Sequence, residues 1–259
     1  MLKILSFGGG VQSTALAILI AQGKIECDAI VFCDTGFEQS IVFDFLKQHT
    51  LKLLEDAKIP FFIAKVEDYS GMLNGESTFG NFLLPPFFHG DGKDQNLISR
   101  LPAYCSSKWK TDTFKRFLAK QFKEKSYEVM MGFSTDEMHR AGRMKSSKKY
   151  QYKFPLLDLR MNRGDCVALV ERTFNTPPPR SSCYFCPNHT QHEWREVMQS
   201  ADREKVIELD AKIRESLRDK MQGGIKAFLT VECKPIAECD FDDKNEVIFS
   251  RLCAGGCFI

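Results

Sequence analysis

Leu2-Lys-Ile-Leu-Ser-Phe7 runs directly into Gly8-Gly-Gly-Val-Gln-Ser-Thr14 and then into Ala15-Leu-Ala-Ile-Leu-Ile20. The first piece reads as a short apolar strand, the second as a glycine loop and the third as a good helix former. In that order they present backbone N–H groups and the positive end of a helix to a phosphate. Glycines let the backbone approach an anion closely, and Ser13 and Thr14 add hydroxyls in the first helical turn. The spacing excludes a Walker loop, because no Gly-Lys-Ser/Thr follows, and it excludes the GxGxxG dinucleotide fingerprint. The competing reading is a tight turn with no ligand, against which the entropic cost of three consecutive glycines weighs.

The rest of the chain follows an α/β rhythm. Asp28-Ala-Ile-Val-Phe-Cys33 reads as a buried strand that ends in Asp34-Thr35-Gly36-Phe37-Glu38. A carboxylate, a hydroxyl and a glycine at the carboxyl end of a parallel strand stand where open α/β sheets bind ligands. Asp34 as the cap of the following helix is the rival role. A helix is predicted over 41–58, with His49 as a structural residue on it, and a third strand over Ile59–Ala64. Residues 67–103 break the rhythm as a lid or insert, and Phe79, Phe82, Phe87 and Phe88 in it suit a small satellite core better than base stacking. Tyr127–Gly132 is the fourth strand, leading into Asp136, Glu137, His139, Arg140 and Arg143; Phe154–Leu159 is the last strand, and Arg163–Phe174 a helix halted by Pro177–Pro179. Helices are expected over 190–222 and a short strand over 227–231.

At 259 residues the chain suits one α/β domain, 1–175, and an appendage, 176–259. Its 43% hydrophobic and 27% charged content is that of a globular protein, and a net charge of +2 singles out no partner. Without an apolar run of about 18 residues, neither membrane span nor signal peptide is expected, and the location read from this is cytoplasmic. Ten cysteines in such a chain do not suggest a disulfide framework. Cys27, Cys33 and Cys166 sit in apolar or helical contexts and read as core, whereas Cys105, Cys183, Cys186, Cys253 and Cys257 sit in turn-rich contexts. Cys105 lies just ahead of a lysine-rich helix, which would lower its thiol pKa. Cys183-Tyr-Phe-Cys186 is a half-site for a tetrahedral metal or an iron–sulfur cluster, or a redox dithiol. Zn²⁺ held by Cys183, Cys186, Cys253 and Cys257 is one such arrangement.

Taken in order, these segments resemble a family. Gly8-Gly-Gly-Val-Gln-Ser13 resembles the PP-loop, SGGxDS, of the ATP pyrophosphatases, with Gly8 for the first Ser and Gln12 for the Asp. Ser6-Phe7-Gly8 resembles the equivalent loop of the phosphoadenosine phosphosulfate (PAPS) reductases, as does Asp34-Thr-Gly36 and the segment 132–143. The resemblance implies a doubly wound, mostly parallel sheet of the adenine-nucleotide α-hydrolase type with a helical, cysteine-bearing C-terminal region. It implies that Ser6, Phe7, Gly8, Gly9, Gly10, Gln12, Ser13, Thr14, Asp34, Thr35, Gly36, Gly132 and Arg143 frame ATP or PAPS with Mg²⁺. The Asp-to-Gln change replaces a carboxylate able to help hold Mg²⁺ by a neutral amide and leaves nucleotide binding intact.

The cysteine order is similar to that of the iron–sulfur adenylyl-sulfate reductases and of ATP-dependent tRNA thiolases that bind a [4Fe–4S] cluster. It implies Cys105, Cys183, Cys186 and Cys257 as cluster ligands, with Zn²⁺ as the alternative, and Cys253, Asp136 and Arg140 as reacting residues. The activity so implied is ATP-dependent sulfur transfer to a tRNA or DNA base through an adenylylated intermediate, fed by a sulfur donor. The alternatives are sulfite release from PAPS with a thioredoxin-like reductant, and a non-catalytic nucleotide-binding module holding structural zinc.

Overall fold

The structure, a computed structural model, describes residues 1–67, 85–91, 98–216 and 226–241. In chain order its elements begin with β1 (Leu2–Phe7), α1 (Val11–Ala21), β2 (Ala29–Asp34), α2 (Ser40–Phe45), a π-helical turn over Leu46–Thr50, α3 (Leu51–Asp56) and β3 (Phe61–Lys65). The short strands β4 (Phe88–Gly90) and β5 (Ser99–Arg100) follow, then a π-helical turn over Ser106–Asp112, α4 (Thr113–Gln121), β6 (Tyr127–Met131) and α5 (Met138–Ala141). The remainder is β7 (Tyr150–Lys153), α6 (Pro155–Asp158), α7 (Arg163–Phe174), α8 (Gln191–Gln199), α9 (Arg203–Ser216) and β8 (Lys226–Phe228). The chain divides into two compact units, 1–66 with 112–182, and 67–111 with 183–259.

The first unit is α/β. Its five strands lie in the order β3-β2-β1-β6-β7, every neighbouring pair parallel. β1 is central, and Ile4 is in register with Ala29 of β2 on one side and Val129 of β6 on the other. The pleat sends alternate residues to opposite faces, and each face has its own core. Leu5, Phe7, Ile30, Phe32 and Met130 join α1 and α7 on one face, while Ile4, Val31, Tyr127 and Val129 join Phe114 and Leu118 of α4 on the other. Strands buried on both faces read as continuous apolar runs, as β2 does from Ala29 to Cys33, while β1 is mostly apolar but interrupted by Lys3 and Ser6. α1 has no polar face to show, since every residue from Val11 to Ile20 except Gln12 is buried beneath the sheet and α7.

One expectation is corrected. The run Phe154–Leu159 does not form the last strand: Pro155 opens helix α6, and the edge strand is β7, four residues earlier in the chain. Proline at the first helical position has the φ a helix needs, and it has no N–H for a sheet ladder. Helix α7 spans Arg163–Phe174 as expected, and Asn175, in the left-handed region with φ 54°, ends it ahead of the prolines. The predicted helix over 41–58 contains the π-helical turn, and His49 packs there between Phe45 (4.9 Å) and Phe174 (5.3 Å) as a structural ring.

The second unit holds the antiparallel sheet β5-β4-β8. Phe88 packs with Phe228 and Cys233, and Phe87 is fully buried near Phe185, so both phenylalanines serve a satellite core. Phe79 and Phe82 lie outside the described residues. Of the residues whose helical spacing marks an apolar face over 190–222, Trp194, Val197, Val206, Leu209 and Ile213 are buried on α8 and α9, Met198 is half-buried, and Leu217 lies outside the described residues. Among the described residues no helix is long and apolar enough to cross a membrane.

Ile18 is fully buried in the α1–sheet core. Ile18→Ala is expected to cost about 2–5 kcal/mol, read as a lower urea midpoint at an unchanged slope. An unmoved midpoint would contradict this placement of α1.

Candidate functional site

The chain builds β1, β2 and β3 outward to one side and then returns to place β6 on the other side of β1. The point where strand order reverses therefore lies between β1 and β6, and the crevice at their carboxyl ends is where open α/β sheets take ligands. The glycine loop leaves β1 there, the Asp34–Gly36 turn leaves the neighbouring β2, and residues 132–143 leave β6.

Each glycine in this region has its own reason. Gly9 has φ +75°, and a Cβ on it would stand 2.7 Å from Val42 Cγ1. At Gly10 a Cβ would stand 3.1 Å from Ser181 Cβ. Gly8 is the roomiest, its imagined Cβ meeting only the hydroxyls of Ser13 at 3.9 Å and Ser181 at 4.0 Å. Ser13 Oγ donates to Gly10 O at 3.0 Å, and Ser181 Oγ donates to Gly8 O. Thr14 is fully buried, and its hydroxyl has no hydrogen-bond partner among the described residues. Ser6 is half-buried. The Phe7 ring is committed to the core against Phe32 and Phe61, which leaves its backbone to the loop.

At the end of β2, Asp34 Oδ1 accepts from Gly36 N at 2.7 Å and Thr35 Oγ1 accepts from Phe37 N at 3.3 Å. Asp34 therefore closes its own turn, while α2 starts later, after Gln39, with no side-chain cap. Gln39 Nε2 donates to Ser182 Oγ at 2.7 Å, and its backbone N–H donates to Ser182 O at 3.3 Å. Ser181 and Ser182 thus strap the glycine loop and the start of α2 together.

Gln12 is the hub. Its Nε2 donates to Glu137 Oε2 at 3.1 Å and reaches Ser134 Oγ at 3.5 Å, while its Oε1 accepts from Arg163 Nη1 at 3.3 Å. Arg140 pairs with Glu137 and lies over the Phe133 ring at 4.3 Å. Asp136 Oδ2 accepts from Arg163 N at 2.6 Å and from Ser134 Oγ at 3.2 Å. The Arg163 N–H is the main reason its carboxyl sits below the usual aspartate value, with Ser134 adding to it. Arg143 is exposed and joins Arg140 through its backbone, N to O at 3.1 Å. Gly132 makes the convergence possible, since a Cβ there would lie 2.9 Å from Ser13 N. Ser134, Glu137, Arg163, Gln39, Ser181 and Ser182 were not singled out from sequence, although Glu137 stands in the polar run after β6.

Cys105, Cys183 and Cys186 all belong to the second unit, each half-buried. The Cys-x-x-Cys segment is a tight turn, Cys186 N donating to Cys183 O at 3.0 Å. His189 follows, buried edge-on against Trp194 at 4.6 Å, in a structural position. Among the described residues no group of three or more His, Cys, Asp or Glu is placed to hold a metal. Cys253 and Cys257 lie outside the described residues. Burial pushes the thiols of Cys27, Cys166, Cys233 and Cys239 up to about 11, so they stay protonated near neutrality and make poor ligands and nucleophiles.

Comparison with solved structures finds a similar chain in the U34-tRNA thiolase NcsA from Methanococcus maripaludis with its [4Fe-4S] cluster. The identity is 14%, the match covers 86% of this chain and 76% of that one, and the TM-score is 0.42. No family model matches this chain, and no curated protein matches it by sequence.

Two outcomes follow from this geometry. Gly132→Ala must push β6 away from the backbone of Gln12 and Ser13, so it should lower the melting temperature by several degrees; an unchanged melt would show that the close approach is dispensable. Asp136 has a folded pKa below its ordinary 3.8, so its contribution is complete above that pH and is lost as pH falls through the folded value. Wild type should therefore be more stable than Asp136→Asn at pH 7, with the gap narrowing as the pH is taken below the ordinary aspartate value. A gap that is constant across that range in thermal melts would remove this role.

Proposed function

We propose that this chain is an adenine-nucleotide enzyme that uses ATP to activate an acceptor for sulfur transfer, with a nucleic-acid base as the acceptor class. The observation that carries the reading is the convergence of the glycine loop, the β6 exit and Arg163 on the Gln12 side chain at the switch point. Three segments remote in sequence meet where an α/β sheet binds ligands, and they bring backbone N–H groups, hydroxyls and guanidinium groups suited to phosphates.

In the reaction proposed, an acceptor carbonyl oxygen attacks the α-phosphorus of ATP and pyrophosphate leaves. A sulfur nucleophile then attacks the activated carbon and AMP leaves. The glycine loop with Ser13 and Thr14 holds the phosphates, with Mg²⁺ as their counterion, and Asp34–Gly36 and Gly132–Arg143 frame the adenosine. Arg140 stabilises charge on the phosphate, and Asp136 keeps the segment in place. Cys105, Cys183, Cys186 and Cys257 would hold a [4Fe–4S] cluster and Cys253 would carry sulfur; in the zinc alternative Cys183, Cys186, Cys253 and Cys257 would hold Zn²⁺. The exposed lysines Lys145, Lys148 and Lys149 add charge that suits a polyanionic acceptor.

The neutral amide at position 12 favours a second reading, PAPS reduction with sulfite as product, because that reaction cleaves no phosphoanhydride and leans less on a metal-binding loop carboxylate. Isothermal titration with ATP and with PAPS decides between them, followed by assays for pyrophosphate and sulfite. Binding of ATP with pyrophosphate release on adding RNA or DNA is the expected result. Sulfite release from PAPS with a thioredoxin-like donor would move the function to the second reading, and binding of neither nucleotide would end both.

A further inference from the structure

We propose that Arg163 is a phosphate-contacting residue of this site, aimed by Gln12 and Asp136; this rests on the nucleotide reading above. Arg163 occupies the first position of α7, where a cation opposes the helix dipole, so helix formation gives no reason for it. The end of α7 is already capped without it: Asn162 accepts from Asp165 N, and Asp165 accepts from Asn162 N, both at 2.9 Å. What the structure does with Arg163 is hold it in place. Asp136 Oδ2 fixes its backbone N–H at 2.6 Å, and Gln12 Oε1 accepts from its Nη1 at 3.3 Å.

The amide of Gln12 can point only one way in this network. Its nitrogen faces the Glu137 carboxylate and its oxygen faces the guanidinium, so the flipped amide would oppose both partners. A carboxylate at position 12 would form an ion pair with Arg163 and cancel its charge. An amide oxygen orients the guanidinium and leaves the charge intact. Of the nearby acids, Glu137 is paired with Arg140, and Asp136, bonded to the Arg163 backbone and to Ser134, acts on the guanidinium only as a neighbouring charge. Arg163 is exposed, and Gln12 is the hydrogen-bond partner of its guanidinium among the described residues, so the remaining N–H donors of the fork are open to a phosphate chain. Position 12 belongs to the first turn of α1, directly after the glycine loop, so the fork stands beside the place proposed for the phosphates.

The test is isothermal titration of the full chain with ATP and with adenosine. Arg163→Met should weaken ATP by about 10–100-fold, the worth of a charge-assisted hydrogen bond, and leave adenosine unchanged. Arg163→Lys, which keeps the charge and loses the fork, should fall between. Gln12→Glu should weaken ATP as well, because it neutralises the guanidinium it holds. Circular dichroism and melting of Arg163→Met should match wild type, since the capping box of α7 is untouched. If wild type binds ATP and Arg163→Met binds it equally, this proposal alone is overturned. An equal loss for ATP and adenosine would mean a purely structural role and overturn it too. If wild type binds neither ATP nor PAPS, the nucleotide reading itself fails.

Discussion

Between the end of β6 and the first turn of α1 there is no room for a side chain. A Cβ on Gly132 would stand 2.9 Å from Ser13 N and 3.1 Å from Gln12 C, closer than real contacts allow. That backbone-to-backbone approach sets the width of the crevice at the switch point. It also brings Ser134, Asp136 and Glu137 within reach of Gln12, which no rotamer change could do from a wider separation. The parallel pairing of β1 with β6 fixes the strands, and Gly132 carries that registration into the loops.

The polar groups gathered there are balanced in charge and joined through one uncharged residue. Arg140 answers Glu137, Asp136 takes the Arg163 backbone, and Gln12 spans the two sets. Since the members are exposed or only half-buried, pairs of this kind add little to stability, and their value lies in holding directions. The same economy governs the cysteines. Burial keeps Cys27, Cys166, Cys233 and Cys239 protonated, which suits them to packing and not to chemistry.

Much of the α/β unit was legible because its signals are local. β1 and β2 are mostly apolar runs, the glycine loop is contiguous, and α7 spans the residues its pattern predicts. The last strand was misplaced because Tyr150–Lys153 alternates partly exposed and exposed residues at a sheet edge, while the apolar Phe154–Leu159 imitates a buried strand. The site was legible only where a motif is contiguous. Ser181 bonds Gly8 across 173 residues, Gln39 meets Ser182 across 143 and Arg163 meets Gln12 across 151, and no periodicity encodes such pairs. Gln12 itself was noticed for the carboxylate it lacks, and its two-sided bonding becomes visible only with Glu137 and Arg163 in place.

The strand order has a consequence for how the chain is made. One edge of β1 pairs with β6, which is encoded more than a hundred residues after it. At translation speeds of about 5–20 residues per second, that edge stays unpaired for on the order of ten seconds while β2 and β3 can already dock on the other side. An apolar strand with an open edge is a template for wrong partners. During synthesis that open edge is the part of the half-built sheet exposed to mispairing.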